Sequence, residues 1–151
     1  MTKLKLRNLN QNDNDLLFKW ANLKSVIKNS IRKKKLKKKN HNYWFDKQLK
    51  LTENITKIIT LEDVPIGVVR LDKKKGNYYI NYLIAPKFRK KGYGYRSLKF
   101  FLLLLKRKTK NLQIIALVKK DNDPSIKIFD KLNFKFSEIK SKVITYKYII
   151  N

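Results

Sequence analysis

Residues 89–94 read Arg-Lys-Lys-Gly-Tyr-Gly, and residues of these types at this spacing suit the binding of a phosphate group. Gly92 and Gly94 let the backbone turn tightly and come close to a ligand, and the free N–H groups at the start of a following helix attract an anion. With Arg89, Lys90 and Lys91 beside them, a diphosphate fits. The spacing is neither that of a nucleotide-binding G-x-x-x-x-G-K-[ST] loop nor that of a dinucleotide G-x-G-x-x-G turn. The alternative is a plain strand-to-helix turn whose glycines serve geometry alone. His41 is the one histidine in the chain. Its ordinary pKa lies near neutrality, which makes it the candidate general base; the alternative is a helix-start side chain with an ordinary hydrogen bond. Arg70 stands inside a strand pattern two residues before Asp72, so it either reaches a substrate phosphate or pairs across a sheet. Trp20, Trp44 and Phe45 are core-type aromatics whose faces also suit a sugar or a base ring.

The elements that must position these residues are legible in the hydrophobic pattern. Residues 3–8 alternate polar and apolar and predict a short edge strand. Capping-type residues crowd positions 12–15 before a helix whose inward face carries Leu16, Leu17, Trp20 and Leu23. Residues 31–39 hold seven cations in nine positions and predict a solvated loop or exposed turn. A second helix starts at Asn40 with Trp44, Phe45 and Leu49 facing inward. Residues 55–60 and 66–71 predict a hairpin, and 77–85 a further strand that runs into the glycine turn. After an apolar helix, residues 112–119 read as a strand buried on both faces. Asp123 caps a short helix with Pro124 in its first turn, and residues 134–139 and 143–150 close the chain as a hairpin. The expected fold is α/β (α+β): one domain over residues 1–151, with a mixed, mostly antiparallel sheet of about seven strands and about four flanking helices. No repeat or linker interrupts it.

Composition removes several classes of function. The chain has 151 residues, no Cys and one His, which excludes disulfide scaffolds, thiol nucleophiles and Cys- or multi-His metal sites. No metal is therefore expected. The longest apolar run, residues 100–105, is far below the roughly 20 residues that span a bilayer. The start of the chain has no apolar signal region, so a soluble cytoplasmic protein with no membrane partner is expected, monomeric or homodimeric. The net charge of +27 invites a nucleic-acid reading. Yet 32 Lys against 6 Arg, with 15 Asn and 16 Ile but only 3 Ala and 4 Gly, is the signature of A/T-rich codons. Nucleic-acid readers lean on Arg for bidentate contacts, so a nucleic-acid partner is not expected.

The loop at 89–94 matches the pattern [QR]-x-x-G-x-[GA] through Arg89, Gly92 and Gly94. A second pattern, N-x-x-S-x-x-x-[FY]-x-x-x-[GN]-F, is present as Asn122, Ser125, Phe129, Asn133 and Phe134. Together and in this order they resemble the GNAT N-acetyltransferases over residues 3–137. The segments W-A-N at 20–22, H-N-Y-W-F at 41–45 and I-G-V-V-R-L-D at 66–72 look like the branch that acetylates nucleotide-activated amino sugars of the pseudaminic and nonulosonic acid type. Ala21 stands where that branch commonly has Arg. Ribosomal-protein N-terminal acetyltransferases share the early Trp and the later Trp-containing helix and are the competing reading. A GNAT-shaped RNA- or ribosome-binding module is the rival from another class.

The resemblance implies acetyl-CoA as donor and a sugar nucleotide as small-molecule acceptor. Tyr82, Leu83 and Ile84 would hydrogen-bond the pantetheine arm, a splayed strand end offering an N–H to the developing oxyanion. Arg89, Lys90, Lys91, Gly92, Tyr93, Gly94 and Tyr95 would wrap the pyrophosphate, and Asn122, Ser125 and Phe129 would line the other side of the arm. Many relatives carry Tyr at the position of Phe129 to protonate the leaving sulfur, which Phe cannot do. Trp20, Asn22, His41, Trp44 and Arg70 would border the acceptor. The strand at 78–85 has no carboxylate base. Deprotonating a lysine amine at pH 7 costs about 4.6 kcal/mol, an amine of pKa near 8 only about 1.4 kcal/mol, so a weak amine suits this site.

Overall fold

In the computed structural model, residues 3–32 and 34–151 are described. Met1, Thr2 and Lys33, parts of the chain start and of the cationic run discussed above, lie outside them. The chain opens with β1 (Leu4–Asn8) and a 3₁₀ turn (Gln11–Asp13), followed by α1 (Asn14–Ala21), α2 (Lys24–Asn29) and α3 (Lys38–Lys50). Then come β2 (Ile55–Leu61), β3 (Val64–Lys74) and β4 (Asn77–Ile84), a 3₁₀ turn (Pro86–Phe88), α4 (Tyr93–Lys108) and β5 (Leu112–Lys119). The chain ends with α5 (Asp123–Lys131), β6 (Lys135–Lys140) and β7 (Val143–Ile150). The seven strands form one sheet in the order β1-β2-β3-β4-β5-β7-β6. Only β4 and β5 run parallel, and the crossover between them is the helix α4. The expected mixed, mostly antiparallel sheet is thus present, flanked by five α-helices rather than about four.

Two apolar layers hold it. On one face α4 and α5 cover the sheet through Leu98, Phe101, Leu102, Leu105 and Phe129 against Ile66, Val69, Ile80 and Ile114. On the other, α1 and α3 cover its first half through Leu17, Trp20 and Phe45 against Ile58. The hairpin between β2 and β3 closes on Glu62 and Asp63, both at positive φ (48° and 66°), the mirror-image turn that suits the twist of paired strands.

Several local expectations are corrected. The cap of α1 is Asp13, within 12–15, but it makes no side-chain capping bond to that helix; the capping box belongs to the preceding 3₁₀ turn, where the Asn10 side chain accepts from the Asn12 N–H and the Asp13 carboxylate accepts from the Asn10 N–H. Helix α2 has no apolar stripe and was not legible. Helix α3 starts two residues before Asn40, and its Leu49 is 37% exposed rather than inward. The strand β5 is covered on one face only near its ends: Gln113 and Leu117 are exposed, since α1 and α3 do not extend across it. The cap of α5 is Asn122, one residue before Asp123. Lys34, Lys35 and Lys37 of the cationic run are exposed, as expected.

Candidate active site

The sheet opens where β4 meets β5. Their register has two pairs, Tyr78↔Ile114 and Tyr79↔Ile115, after which β4 runs on to Ile84 and β5 to Lys119 unpaired with each other. On its other edge β4 stays bonded to β3 as far as Ala85, whose N–H donates to the Ile66 carbonyl at 2.8 Å. Strand alternation therefore turns the N–H groups of Tyr82 and Ile84 into the gap. Gly67 makes this close approach of β3 to β4 possible: a Cβ there would lie 2.2 Å from the Leu83 carbonyl oxygen.

The glycine turn sits at the mouth of the gap. Lys90 and Gly92 take left-handed backbone, with φ of 61° and 81°, and Gly92 is the cap of α4. The first intrahelical bond is Arg96 N–H to Gly92 O at 3.1 Å, which leaves the N–H groups of Tyr93, Gly94 and Tyr95 unused at the positive end of a 16-residue helix. Gly94 is buried in that first turn; a Cβ there would stand 3.1 Å from Ile128 and 3.2 Å from Tyr82. Lys90 and Lys91 are exposed beside it, whereas Arg89 is not a free cation. Its Nε donates to the Ile84 carbonyl at 2.8 Å and its Nη1 to Ser25 Oγ of α2 at 2.9 Å. Lys119 Nζ, from the end of β5, donates to the Lys28 carbonyl of the same helix. Helix α2 thus bridges the two diverging strands.

The far wall is α5. Asn122 is mainly its cap, accepting from Ser125 N–H at 3.4 Å, and the Ser125 hydroxyl shares a hydrogen bond of 2.7 Å with the Tyr82 hydroxyl. Burial raises the Tyr82 pKa, against smaller lowering effects of Ser125 and Arg89, so the phenol keeps its proton. Phe129 is buried edge-on to Tyr82, with ring centroids 6.0 Å apart. Asn133 takes the left-handed conformation (φ 67°) that its place in the second motif demands.

The acceptor candidates separate. Arg70 lies over the Trp44 ring at 5.0 Å and contacts Asp72 through Nε at 3.1 Å, on the sheet face opposite α4 and α5. It pairs in register with Asn81 of β4, beside the gap. Trp20 is buried in the second core, and Asn22 is fully engaged with the Leu36 backbone, accepting at 2.7 Å and donating at 3.1 Å. His41 is 2% exposed, enclosed by Phe18, Trp44 and Phe45. Its Nε2 donates to the Asn14 carbonyl at 3.1 Å, joining α3 to α1, and burial pushes its pKa below the ordinary histidine value. Its Nδ1 is buried without a partner among the described residues. Ser25 and Asn81 were missed by sequence reasoning, whereas Asp72, two residues after Arg70 on the same strand face, was legible as its neighbour.

The chain thus presents a seven-stranded mixed sheet that opens in one gap, with a glycine turn and the N-terminus of a 16-residue helix at its mouth. The chain matches the family described as the acetyltransferase (GNAT) domain over residues 3–135, and it belongs to that family. It is an acyltransferase whose donor is acetyl-CoA. No curated protein sequence matches it. Among solved structures, a domain from Methanocaldococcus jannaschii superimposes with a TM-score of 0.84 at 25% identity, covering 98% of this chain and 99% of that one. RimL, a ribosomal L7/L12 alpha-N-protein acetyltransferase in complex with coenzyme A, gives 0.82 at 16% identity over 99% and 96%. YncA from Salmonella typhimurium, solved with acetyl-CoA, gives 0.80 at 14% over 99% and 95%. Among the described residues, no helix is long and apolar enough to cross a membrane.

Proposed function

We propose that the chain transfers the acetyl group of acetyl-CoA to the amine of a nucleotide-linked amino sugar. The observation that carries the donor half is the gap after Tyr79 and Ile115, with two β4 N–H groups turned into it and the glycine turn at its mouth. Tyr82 and Ile84 N–H would hold the pantetheine arm and the thioester oxygen, where a fixed donor stabilises charge that grows during attack. Gly92, Gly94 and the first N–H groups of α4 would take the pyrophosphate, with Lys90 and Lys91 adding charge. Arg89 positions this turn from below rather than binding phosphate itself.

The acceptor half rests on Arg70 and Trp44, one strand away from the gap. A guanidinium held over a half-buried indole suits a phosphate-bearing sugar. His41 serves as a pin between helices, and the proton of a weakly basic amine passes to water, which costs about 1.4 kcal/mol for a pKa near 8. The Tyr82 hydroxyl, hydrogen-bonded to Ser125, would lend the departing thiolate the proton that Phe129 cannot and regain one, through water, from the newly acetylated nitrogen. Catalysis then relies mainly on positioning. Acetylation of a polypeptide α-amino group is the second reading, favoured by the structural likeness to the L7/L12 enzymes.

The two readings separate in a thiol-release assay with UDP-linked amino sugars and with peptides. Turnover of the sugar nucleotides supports the first; turnover of peptides alone replaces it with the second.

A further inference from the structure

A polar cavity lies at the end of the sheet away from the glycine turn. It is open, about 240 Å³ in volume, and is bordered by the end of β1, the last turn of α3, the start of β2 and the last residue of α4. Pockets for organic ligands run from about 300 to 1,000 Å³, so this one suits a small ion. Its polar lining is Asn8, Gln48, Asn54, Thr56, Lys57 and Lys108, and no Asp or Glu lines it. Lys108 ends the helix that begins at the glycine turn, about 24 Å away at 1.5 Å per residue.

The three carboxamides are set in the same way. Asn8 Oδ1 accepts from Lys57 Nζ, Gln48 Oε1 from the Thr56 hydroxyl at 3.0 Å, and Asn54 Oδ1 from the Lys73 N–H at 2.9 Å. An ammonium and a backbone N–H only donate, so in Asn8 and Asn54 the oxygen must be the bonded atom and the nitrogen the one left over. None of the three amide nitrogens has a partner among the described residues. Thr56, which fixes Gln48, is buried, and Lys57 is half-buried. The neighbouring carboxylate in sequence, Glu53, is already engaged by Lys73 at 3.1 Å. Burial, and then the charge of Lys108, push the Lys57 ammonium below the ordinary lysine pKa, a cost that a bound anion would relieve. Three amide N–H₂ groups and two ammonium groups around one small cavity complement an oxyanion and offer a cation nothing to bind.

We propose that this cavity is a second anion site, which takes a single phosphate group, free or carried on a small body, through the amides of Asn8, Gln48 and Asn54 and the ammonium groups of Lys57 and Lys108. It is separate from the gap and does not depend on the reading of the acceptor.

The test is titration of inorganic phosphate into the full chain at a fixed ionic strength of about 0.15 M, followed by calorimetry and by side-chain amide NMR. The chain is saturated with coenzyme A beforehand, so that the glycine turn is filled. One saturable phosphate site is expected, with the amide resonances of Asn8, Gln48 and Asn54 moving along the same curve. Asn54→Asp and Gln48→Glu keep the oxygens that the Lys73 N–H and the Thr56 hydroxyl need and put a negative oxygen in place of the N–H₂ group. Each is expected to lower phosphate affinity about tenfold. Lys140→Gln, an equal change of charge on the exposed strand β6, is expected to leave it within about twofold. Glycerol 3-phosphate binding as tightly as phosphate assigns the site to a phosphomonoester, and weaker binding assigns it to the free ion. No saturable site, resonances of the three amides that stay in place, or equal losses in Asn54→Asp and Lys140→Gln overturn the proposal and leave the acetyltransferase reading standing.

Discussion

Two arginine–aspartate pairs lie on this molecule, and they are built to opposite ends. At the corner between β1 and α1, Asp13 is 4% exposed and accepts from both Nη groups of Arg7, at 2.9 and 2.8 Å, and from the Asn10 N–H at 2.9 Å. Burial alone would raise the Asp13 pKa, but these bonds and the Arg7 charge hold it below the ordinary carboxylate value. On β3, Asp72 is 7% exposed and lies 3.1 Å from Arg70 Nε in an ion pair without a hydrogen bond, so that Asp72 Oδ1 and Arg70 Nε are both buried and unpaired among the described residues. The residue types and the burial are alike. What separates a staple from a site is whether the hydrogen-bonding capacity is closed by the protein or left for a ligand.

The comparison can be broken most forcefully at Gly67, which sets the register of the strand that carries the open pair. Gly67→Ala places a Cβ 2.2 Å from a backbone oxygen, and it is expected to cost about 3 kcal/mol in urea unfolding. A change under about 1 kcal/mol would show that β3 and β4 have room to part. Next, Asp13→Asn opens the closed pair. Because the Arg7 side chain is 35% exposed, the expected loss is about 2 kcal/mol, below that of a fully buried pair, with acetyl transfer unchanged. Asp72→Asn sharpens the contrast from the other side. It is expected to change stability by less than about 1 kcal/mol while raising the acceptor KM about tenfold, measured with donor saturating. Equal stability losses in the two Asn variants would erase the distinction.

The smallest effect belongs to His41, which extends the closed corner into α3 through the Asn14 carbonyl. Its folded pKa lies below the unfolded value, so the unfolded chain binds the extra proton first. The stability it contributes is full above about pH 6.5 and is lost as the pH falls below that. The melting temperature of the wild type is expected to decline from neutral to mildly acid pH, and that of His41→Gln to decline less. Parallel slopes would remove His41 from the account.

Much of the frame was readable because it rests on strong periodic signals. The strand at 77–85 followed by a glycine turn and an apolar helix could hardly be another element order, and Asn133 declared its left-handed backbone. The contents of the site were less readable. Arg89 reads as a phosphate ligand in sequence, yet its guanidinium donates to the Ile84 carbonyl and to Ser25, a partner hidden from the pattern because it lies on a six-residue helix with no apolar stripe. His41 reads as a base, yet its ring is buried, because nothing in the sequence shows that Phe18 of α1 packs against it.

The central claim, acetyl transfer to an amine carried by a nucleoside diphosphate, is tested most directly by measuring kcat/KM for three acceptors under saturating acetyl-CoA: a UDP-linked amino sugar, the same amino sugar without the nucleotide, and a peptide with a free α-amino group. The sugar nucleotide is predicted to exceed both others by about 100-fold or more, the discrimination expected of a site whose charged donors go unpaired without the phosphates. Equal turnover of the free amino sugar, or preference for the peptide, would contradict it.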